Sequence, residues 1–168
     1  THPFSCEING SPRIDYIDSI KRRPPPPVLI ARANTPGFTP EEIQQADAAM
    51  QAVKSSLSRY SDHKPHWRLA ASLKPQLGRN NTSAIQRQAS LDHILTSASA
   101  VITTPSTLAL EAMRLRIPTL IVDFTNSPAY LLSAWRATCP DTLARALESL
   151  LRSETLEHQR RLVHQDFL

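Results

Sequence analysis

The chain has 168 residues, and 40% of them are hydrophobic, which is enough for one domain with an apolar core. No apolar run approaches the roughly 18 residues that a transmembrane helix needs. The formal net charge is +4, but the basic residues are scattered, apart from residues 21–23, and only 5% of the chain is aromatic, so we do not expect nucleic-acid binding.

Residues 1–27 are predicted to be an interdomain lead-in rather than part of the packed domain. The four prolines at 24–27 are incompatible with a helix or a central strand, so they favour a stiff, extended connector. The chain begins at Thr1, without Met and without a signal-peptide pattern, and we therefore expect it to be a fragment of a longer protein. Residues 28–168 are expected to form a single α/β domain.

The first strand and the first long helix of this domain are predicted by local signals. Residues 28–31 are all apolar and indicate a strand. Thr39 as an N-cap, Pro40 in the first turn and Glu42 as the capping-box partner predict a helix that ends near Ser58. Apolar residues spaced three and four apart predict its buried face: Ile43, Ala46, Met50, Val53 and Leu57.

Shorter elements are predicted in the middle of the chain. A second strand is expected at 67–73 and a third at 84–87. A short helix is expected at 91–96, with Ser90 as its N-cap.

The most informative segment is 100–123, which predicts a buried strand, a polar turn, a helix and a second buried strand. The apolar runs at 101–102 and 120–122 are typical of parallel sheets. We expect Ser106 or Thr107 to cap the helix between them, which runs to about Arg116. Such a unit directs the helix N-terminus to the carboxyl edge of the sheet, where open α/β sheets bind ligands and where phosphate is favoured.

The C-terminal third continues the alternation of strands and helices. Residues 129–135 fit either a helix or a strand, the leucines of 141–151 predict an amphipathic helix, and 154–165 predict a last helix. The whole pattern predicts an α/β fold with a Rossmann-like, doubly wound parallel sheet covered on both faces.

Several common catalytic and cofactor motifs are absent from the sequence. The three glycines, at 10, 37 and 78, form neither a dinucleotide-binding fingerprint nor a Walker loop. Cys6 and Cys139 have no metal or redox spacing, and the six histidines do not cluster. We therefore expect no metal and no bound cofactor.

Five short segments carry a family resemblance: a short helix at 91–95, Ser-Ala-Val-Ile at 99–102, Ser-Thr at 106–107, Glu-Ala-Met at 111–113 and Pro-Thr-Leu-Ile-Val-Asp at 118–123. In this order they resemble the C-terminal, nucleotide-sugar-binding domain of two-domain GT-B glycosyltransferases of bacterial surface polysaccharide and glycolipid synthesis. The lead-in at 9–15 resembles the segment that joins the two GT-B domains. UDP-N-acetylglucosamine 2-epimerases share this fold.

The resemblance implies that the chain is one half of a GT-B architecture and binds a nucleotide sugar, UDP-linked, as its donor substrate. Glu111, the acidic residue seven positions before Pro118, would contact the ribose hydroxyls of the nucleotide. The turn and the first helical residues would lie at the diphosphate: Thr104, Pro105, Ser106 and Thr107.

Two physical arguments support these diphosphate and ribose assignments. The N–H groups at a helix start carry about half a positive charge, to which the hydroxyls of Ser106 and Thr107 add hydrogen bonds. A carboxylate such as that of Glu111 accepts two hydrogen bonds from a cis-diol, although an ion pair with Arg114 is an alternative for it. Arg32, just after the first strand, is expected either to meet the diphosphate from the facing edge or to be an ordinary loop residue.

The function that the resemblance implies is donor binding for glycosyl transfer in surface-glycan or glycolipid synthesis. The acceptor-binding N-terminal domain, which often supplies the catalytic base, is not in the chain, so no catalytic residue is assigned. A glycan or lipid-linked acceptor, a cytoplasmic location and peripheral contact with the inner membrane are further implications.

Two other functions stay open from the sequence. A sugar-nucleotide epimerase would use the same fold and the same nucleotide site. A non-catalytic GT-B-like domain is the other alternative, because Arg116 stands where many relatives have Gly and residues 74–76 replace a basic stretch of relatives.

Overall fold

The computed structural model describes residues 26–34, 37, 39–68, 91–125 and 134–152. Five parallel strands form one sheet with the order β2-β1-β3-β4-β5. The strands are β1 Val28–Ala31, β2 Pro65–Arg68, β3 Ala100–Thr103, β4 Thr119–Val122 and β5 Trp135–Ala137. The helices are α1 Pro40–Leu57, α2 Leu91–Thr96, α3 Thr107–Arg114 and α4 Pro140–Leu151. The predicted Rossmann-like α/β fold is confirmed.

Helices pack on both faces of the sheet, as a doubly wound fold requires. On one face, α1 and α4 cover alternate residues of the strands in a common core cluster. On the other face, α2 and α3 cover the intervening residues. The three central strands β1, β3 and β4 are buried along their whole length because helices cover both sides of them.

Helix α1 begins with the capping box that the sequence predicts. The Glu42 N–H donates to Thr39 Oγ1 at 3.2 Å, and the Thr39 N–H donates to Glu42 Oε2 at 3.1 Å. The helix ends at Leu57 with Ser58 as its C-cap. The predicted burial of Ile43 is wrong: it lies in the first turn of α1 and is 38% exposed, whereas the other four residues of the predicted face are buried.

Helix α3 ends two residues before the predicted Arg116. Arg116 adopts a left-handed backbone with φ 57°, which no helix can continue. The Arg116 N–H donates to Met113 O at 2.9 Å, and the Ile117 N–H donates to Ala112 O at 3.0 Å. These two bonds define a Schellman C-cap, a motif that usually has Gly at the left-handed position.

Both edge strands bury a tryptophan on the α1/α4 face of the sheet. Trp67 in β2 and Trp135 in β5 are each 2% exposed. Trp135 Nε1 donates to Ser149 Oγ of α4 at 2.9 Å, whereas Trp67 Nε1 has no hydrogen-bond partner among the described residues. Strand β2 begins at Pro65, two residues before the predicted start, and Trp135 belongs to a strand, the second of the two alternatives predicted for it.

Several predictions fall outside the described residues. These are the lead-in up to residue 25, the strand residues 69–73 and 84–87, residues 74–76, Ser90, residues 129–133 and the last helix at 154–165.

Candidate functional site

The sheet order places a topological switch point between β1 and β3. The chain leaves β1 toward β2 on one side and later returns to β3 on the other side. In open α/β sheets, the crevice outside the carboxyl ends of two such strands is the usual ligand site. Ala31 and Thr103, the last residues of β1 and β3, are partners in register, so the two loops leave the sheet side by side.

A hydrogen bond joins these two loops. The backbone N–H of Ala33 donates to Thr104 Oγ1 at 2.9 Å, although the two residues are 71 positions apart in the chain. Thr104 is buried, and its hydroxyl therefore holds the loop after β1 against the loop after β3. Thr104 lies at the predicted edge, but its side chain is engaged within the protein.

Arg32 is the first residue after β1, and only 6% of its side chain is exposed. Its Nε lies 2.8 Å from Asp47 Oδ1 of α1. The N–H is poorly directed at this oxygen, so the contact is an ion pair rather than a well-aligned hydrogen bond. A second nitrogen, Nη1, donates to Ala33 O at 3.3 Å. Sequence reasoning placed Arg32 at this edge but missed Asp47, since no local pattern links residues fifteen positions apart.

The predicted side-chain cap of α3 is wrong. Ser106 occupies the N-cap position, but its side chain makes no capping hydrogen bond. Instead, Ser106 Oγ lies 3.0 Å from Thr103 Oγ1 at the end of β3. Thr107, the other predicted cap, is the first helical residue and is exposed. The neighbouring strand end therefore competes successfully for the hydroxyl that would otherwise cap the helix.

The first turn of α3 has free backbone donors. Ala109 N–H donates to Ser106 O at 3.1 Å, but within the described part of the chain no acceptor is bonded to the N–H groups of Thr107 and Leu108. No acidic residue lies in this first turn. These donors carry the positive end of the helix dipole, and an anion is the ligand that would satisfy them.

Glu111 follows one turn after Thr107 on the same face of α3. Four residues correspond to about 6 Å along a helix axis, a separation similar to that between a diphosphate and its ribose. The Glu111 side chain is exposed, and among the described residues it forms no ion pair with Arg114, the alternative partner predicted from the sequence. Pro105 is half-buried between the strand end and the helix.

The carboxyl end of β4 is closed by its own side chains. Asp123 is buried, its Oδ1 accepts the Thr125 N–H at 3.2 Å, and its Oδ2 lies 3.2 Å from Arg136 Nη2 of β5. The carboxylate is thus satisfied within the protein.

Cys139 lies at the same edge, directly before α4. The hydroxyl and the backbone N–H of Thr142 face its sulfur and lower the pKa of the thiol below its usual value, with a further contribution from the Asp141 N–H. Thr142 Oγ1 also accepts the Cys139 N–H at 3.1 Å. From its sequence, Cys139 is an ordinary free thiol, because the residue spacing does not reveal this local capping geometry.

Neither a metal site nor a membrane-spanning helix is found in the described ranges. No group of three or more His, Cys, Asp or Glu side chains there is arranged to hold a metal ion. None of the helices within those ranges is both long and apolar enough to cross a membrane.

No model of a known protein family matches the chain, and no curated protein matches it.

Proposed function

We propose that the chain is the donor-binding half of a GT-B glycosyltransferase. In this proposal, the diphosphate of a nucleotide sugar binds at the N-terminus of α3 and the ribose binds at Glu111. The main support is the open first turn of α3 at the β1/β3 switch point, where two backbone N–H groups have no partner within the described residues. The order of the sequence motifs is a second, independent support.

The residues at this edge have different roles in the proposal. The N–H groups of Thr107 and Leu108 would donate to phosphate oxygens. The Ser106 hydroxyl would not, because Thr103 Oγ1 donates to Thr104 O and therefore takes the hydrogen of Ser106. Thr104 would hold the two loops together through Ala33 rather than contact the ligand. Arg32 would contribute its remaining guanidinium donors, since Nε and Nη1 are already engaged.

The chemistry of this site would be electrostatic and would not require a metal. In glycosyl transfer, negative charge develops on the departing nucleoside diphosphate as its bond to the sugar breaks. Fixed N–H dipoles and a guanidinium stabilise that charge without reorganisation. The acceptor and its general base would come from a second domain, which closes over the donor.

The experiment is a calorimetric titration of the chain with UDP, CDP, GDP and their sugar conjugates. We expect one diphosphate to bind selectively and Glu111→Ala to weaken its affinity by about tenfold, the equivalent of 1.4 kcal/mol for lost ribose contacts. Glu148→Ala is the matched control, because it removes an exposed carboxylate from α4, where it pairs with Arg152.

Two results would contradict the proposal. If the folded chain binds none of the nucleotides, the non-catalytic alternative becomes the better interpretation. If Glu111→Ala and Glu148→Ala bind the nucleotide equally well, the ribose assignment is wrong.

A further inference from the structure

Arg32 combines a buried position with a guanidinium that is only partly engaged. Its side chain is 6% exposed, and Asp47 lies against Nε at 2.8 Å. Nη1 donates to Ala33 O, whereas Nη2 has no acceptor among the described residues. A guanidinium is planar, so fixing its Nε side also fixes the direction of its other donors.

We propose that Asp47 is a positioning residue that orients the guanidinium of Arg32 toward an anionic ligand at the β1/β3 switch point. This inference rests on the proposed function, because the ligand is the diphosphate of that site. Asp47 belongs to α1, and its own side chain is 28% exposed. It therefore holds Arg32 from a helix, whereas Thr104 holds the neighbouring Ala33 from the loop after β3.

The pair also belongs to a connected set of contacts across the switch point. Asp47 contacts Arg32, Arg32 Nη1 donates to Ala33 O, and the Ala33 N–H donates to Thr104 Oγ1, two residues before the N-cap of α3. Loss of the Asp47 charge releases the first member of this set. The effect on the ligand then passes through Arg32 rather than through a contact of Asp47 with the ligand.

The contact between Arg32 and Asp47 depends on charge rather than on a well-aligned hydrogen bond. The variants therefore separate the charge of Asp47 from its shape. Asp47→Asn keeps the shape of the side chain and removes its charge, and Asp47→Glu keeps the charge. Asp62→Asn is the matched control, because Asp62 is an exposed carboxylate before β2, at the opposite edge of the sheet. Arg32→Gln, alone and combined with Asp47→Asn, completes a double-mutant cycle.

The measurement is the affinity of the full chain for UDP by calorimetry, with CDP and GDP as alternative probes if UDP does not bind. We expect Asp47→Asn to weaken binding by about tenfold, Asp47→Glu to recover most of the loss and Asp62→Asn to have no effect. Because Asp47 acts through Arg32, the double variant should bind no more weakly than Arg32→Gln alone.

The results distinguish a failure of the positioning role of Asp47 from a failure of the proposed function. Normal nucleotide binding by folded Asp47→Asn, or losses that add in the double variant, would overturn the positioning role but not the proposed function. If the wild-type chain binds none of the three nucleotides, both the proposed function and this inference fail. If Asp47→Asn does not fold, the Arg32 Nε–H signal in NMR spectra of the wild type decides: it should shift on nucleotide binding, and an unchanged signal at saturation overturns the inference.

Discussion

Helices α1 and α3 follow β1 and β3, the two strands at the switch point, and their first turns differ. In α1, Thr39 and Glu42 form a reciprocal capping box, and Glu41 adds a second carboxylate near the dipole. In α3, Ser106 makes no capping bond and no acidic residue is present in the first turn. Side chains thus cap one helix start, whereas in the other the N–H groups of Thr107 and Leu108 have no acceptor among the described residues.

The difference shows that sheet topology alone does not select a binding helix. Both helices follow strands of the switch point, but the local sequence determines whether side chains of the first turn cap the backbone N–H groups. A serine at the N-cap position is not sufficient to close a helix start. The Ser106 hydroxyl lies against Thr103 at the end of the preceding strand.

The largest expected effect comes from making the first turn of α3 resemble that of α1. Thr107→Glu places a carboxylate at the first helical position, where it should stabilise the fold by about 0.3–1 kcal/mol. The same charge should lower the affinity for UDP by more than about tenfold, because like charges at a binding site cost several kcal/mol. Calorimetry and urea denaturation measure the two effects. Thr107→Gln is the uncharged control, and equal UDP affinity of the two variants would contradict an anion site at this helix.

The next largest effect is expected from removing the hydrogen bond between the loops after β1 and β3. Thr104→Val leaves the Ala33 N–H without its acceptor, and we expect the free energy of unfolding to fall by about 1–3 kcal/mol. Thr104→Ser keeps the hydroxyl and should lose less. Urea denaturation gives the stability, and hydrogen exchange at Ala33 reports the bond itself. Equal exchange rates at Ala33 in the two variants would show that the bond does not form in solution.

Removal of the two N-cap side chains compares the helices directly. Thr39→Ala eliminates a cap and should cost about 1 kcal/mol of unfolding free energy. Ser106→Ala eliminates no capping bond, so we expect a loss of only about 0.5 kcal/mol, the low end of the range for a hydrogen bond. Equal losses in urea denaturation would mean that Ser106 caps α3 in solution after all.

The smallest effect concerns the start of the third helix at this edge, α4. The lowered pKa of Cys139 means that more thiolate is present at neutral pH, so alkylation by iodoacetamide should be faster than for a cysteine with an ordinary pKa of about 8.5. In a Cys6→Ser background, the pH dependence of the rate gives the pKa. Thr142→Val should move the midpoint to higher pH, whereas Thr142→Ser should not. A midpoint that is the same in all three proteins would contradict the assignment to the Thr142 hydroxyl.

The elements that the sequence predicts best are those with strong local signals. Strand β1 has the predicted bounds because four consecutive apolar residues are bounded by the prolines on one side and Arg32 on the other. Helix α1 has the predicted start because the capping box lies within four residues of sequence.

The predictions that failed, and the features that were missed, depend on contacts between distant residues. Pairing of Arg32 with Asp47 requires α1 to lie over the end of β1, and the bond from Ala33 to Thr104 requires β1 and β3 to be neighbours. Strand order itself is not contained in the local pattern, because all of the apolar strands satisfy the same periodicity. Ile43 has the right spacing for a buried face, but that spacing does not reveal which turns of the helix other elements cover.

The left-handed Arg116 has a practical consequence. Its Schellman cap has both backbone hydrogen bonds although the left-handed position is not occupied by glycine. Glycine would adopt this backbone without the cost of about 1–2 kcal/mol that a side chain meets there. Arg116→Gly therefore offers a way to engineer a more heat-resistant form of the chain for long titrations, with the substitution at the opposite end of α3 from the proposed diphosphate site.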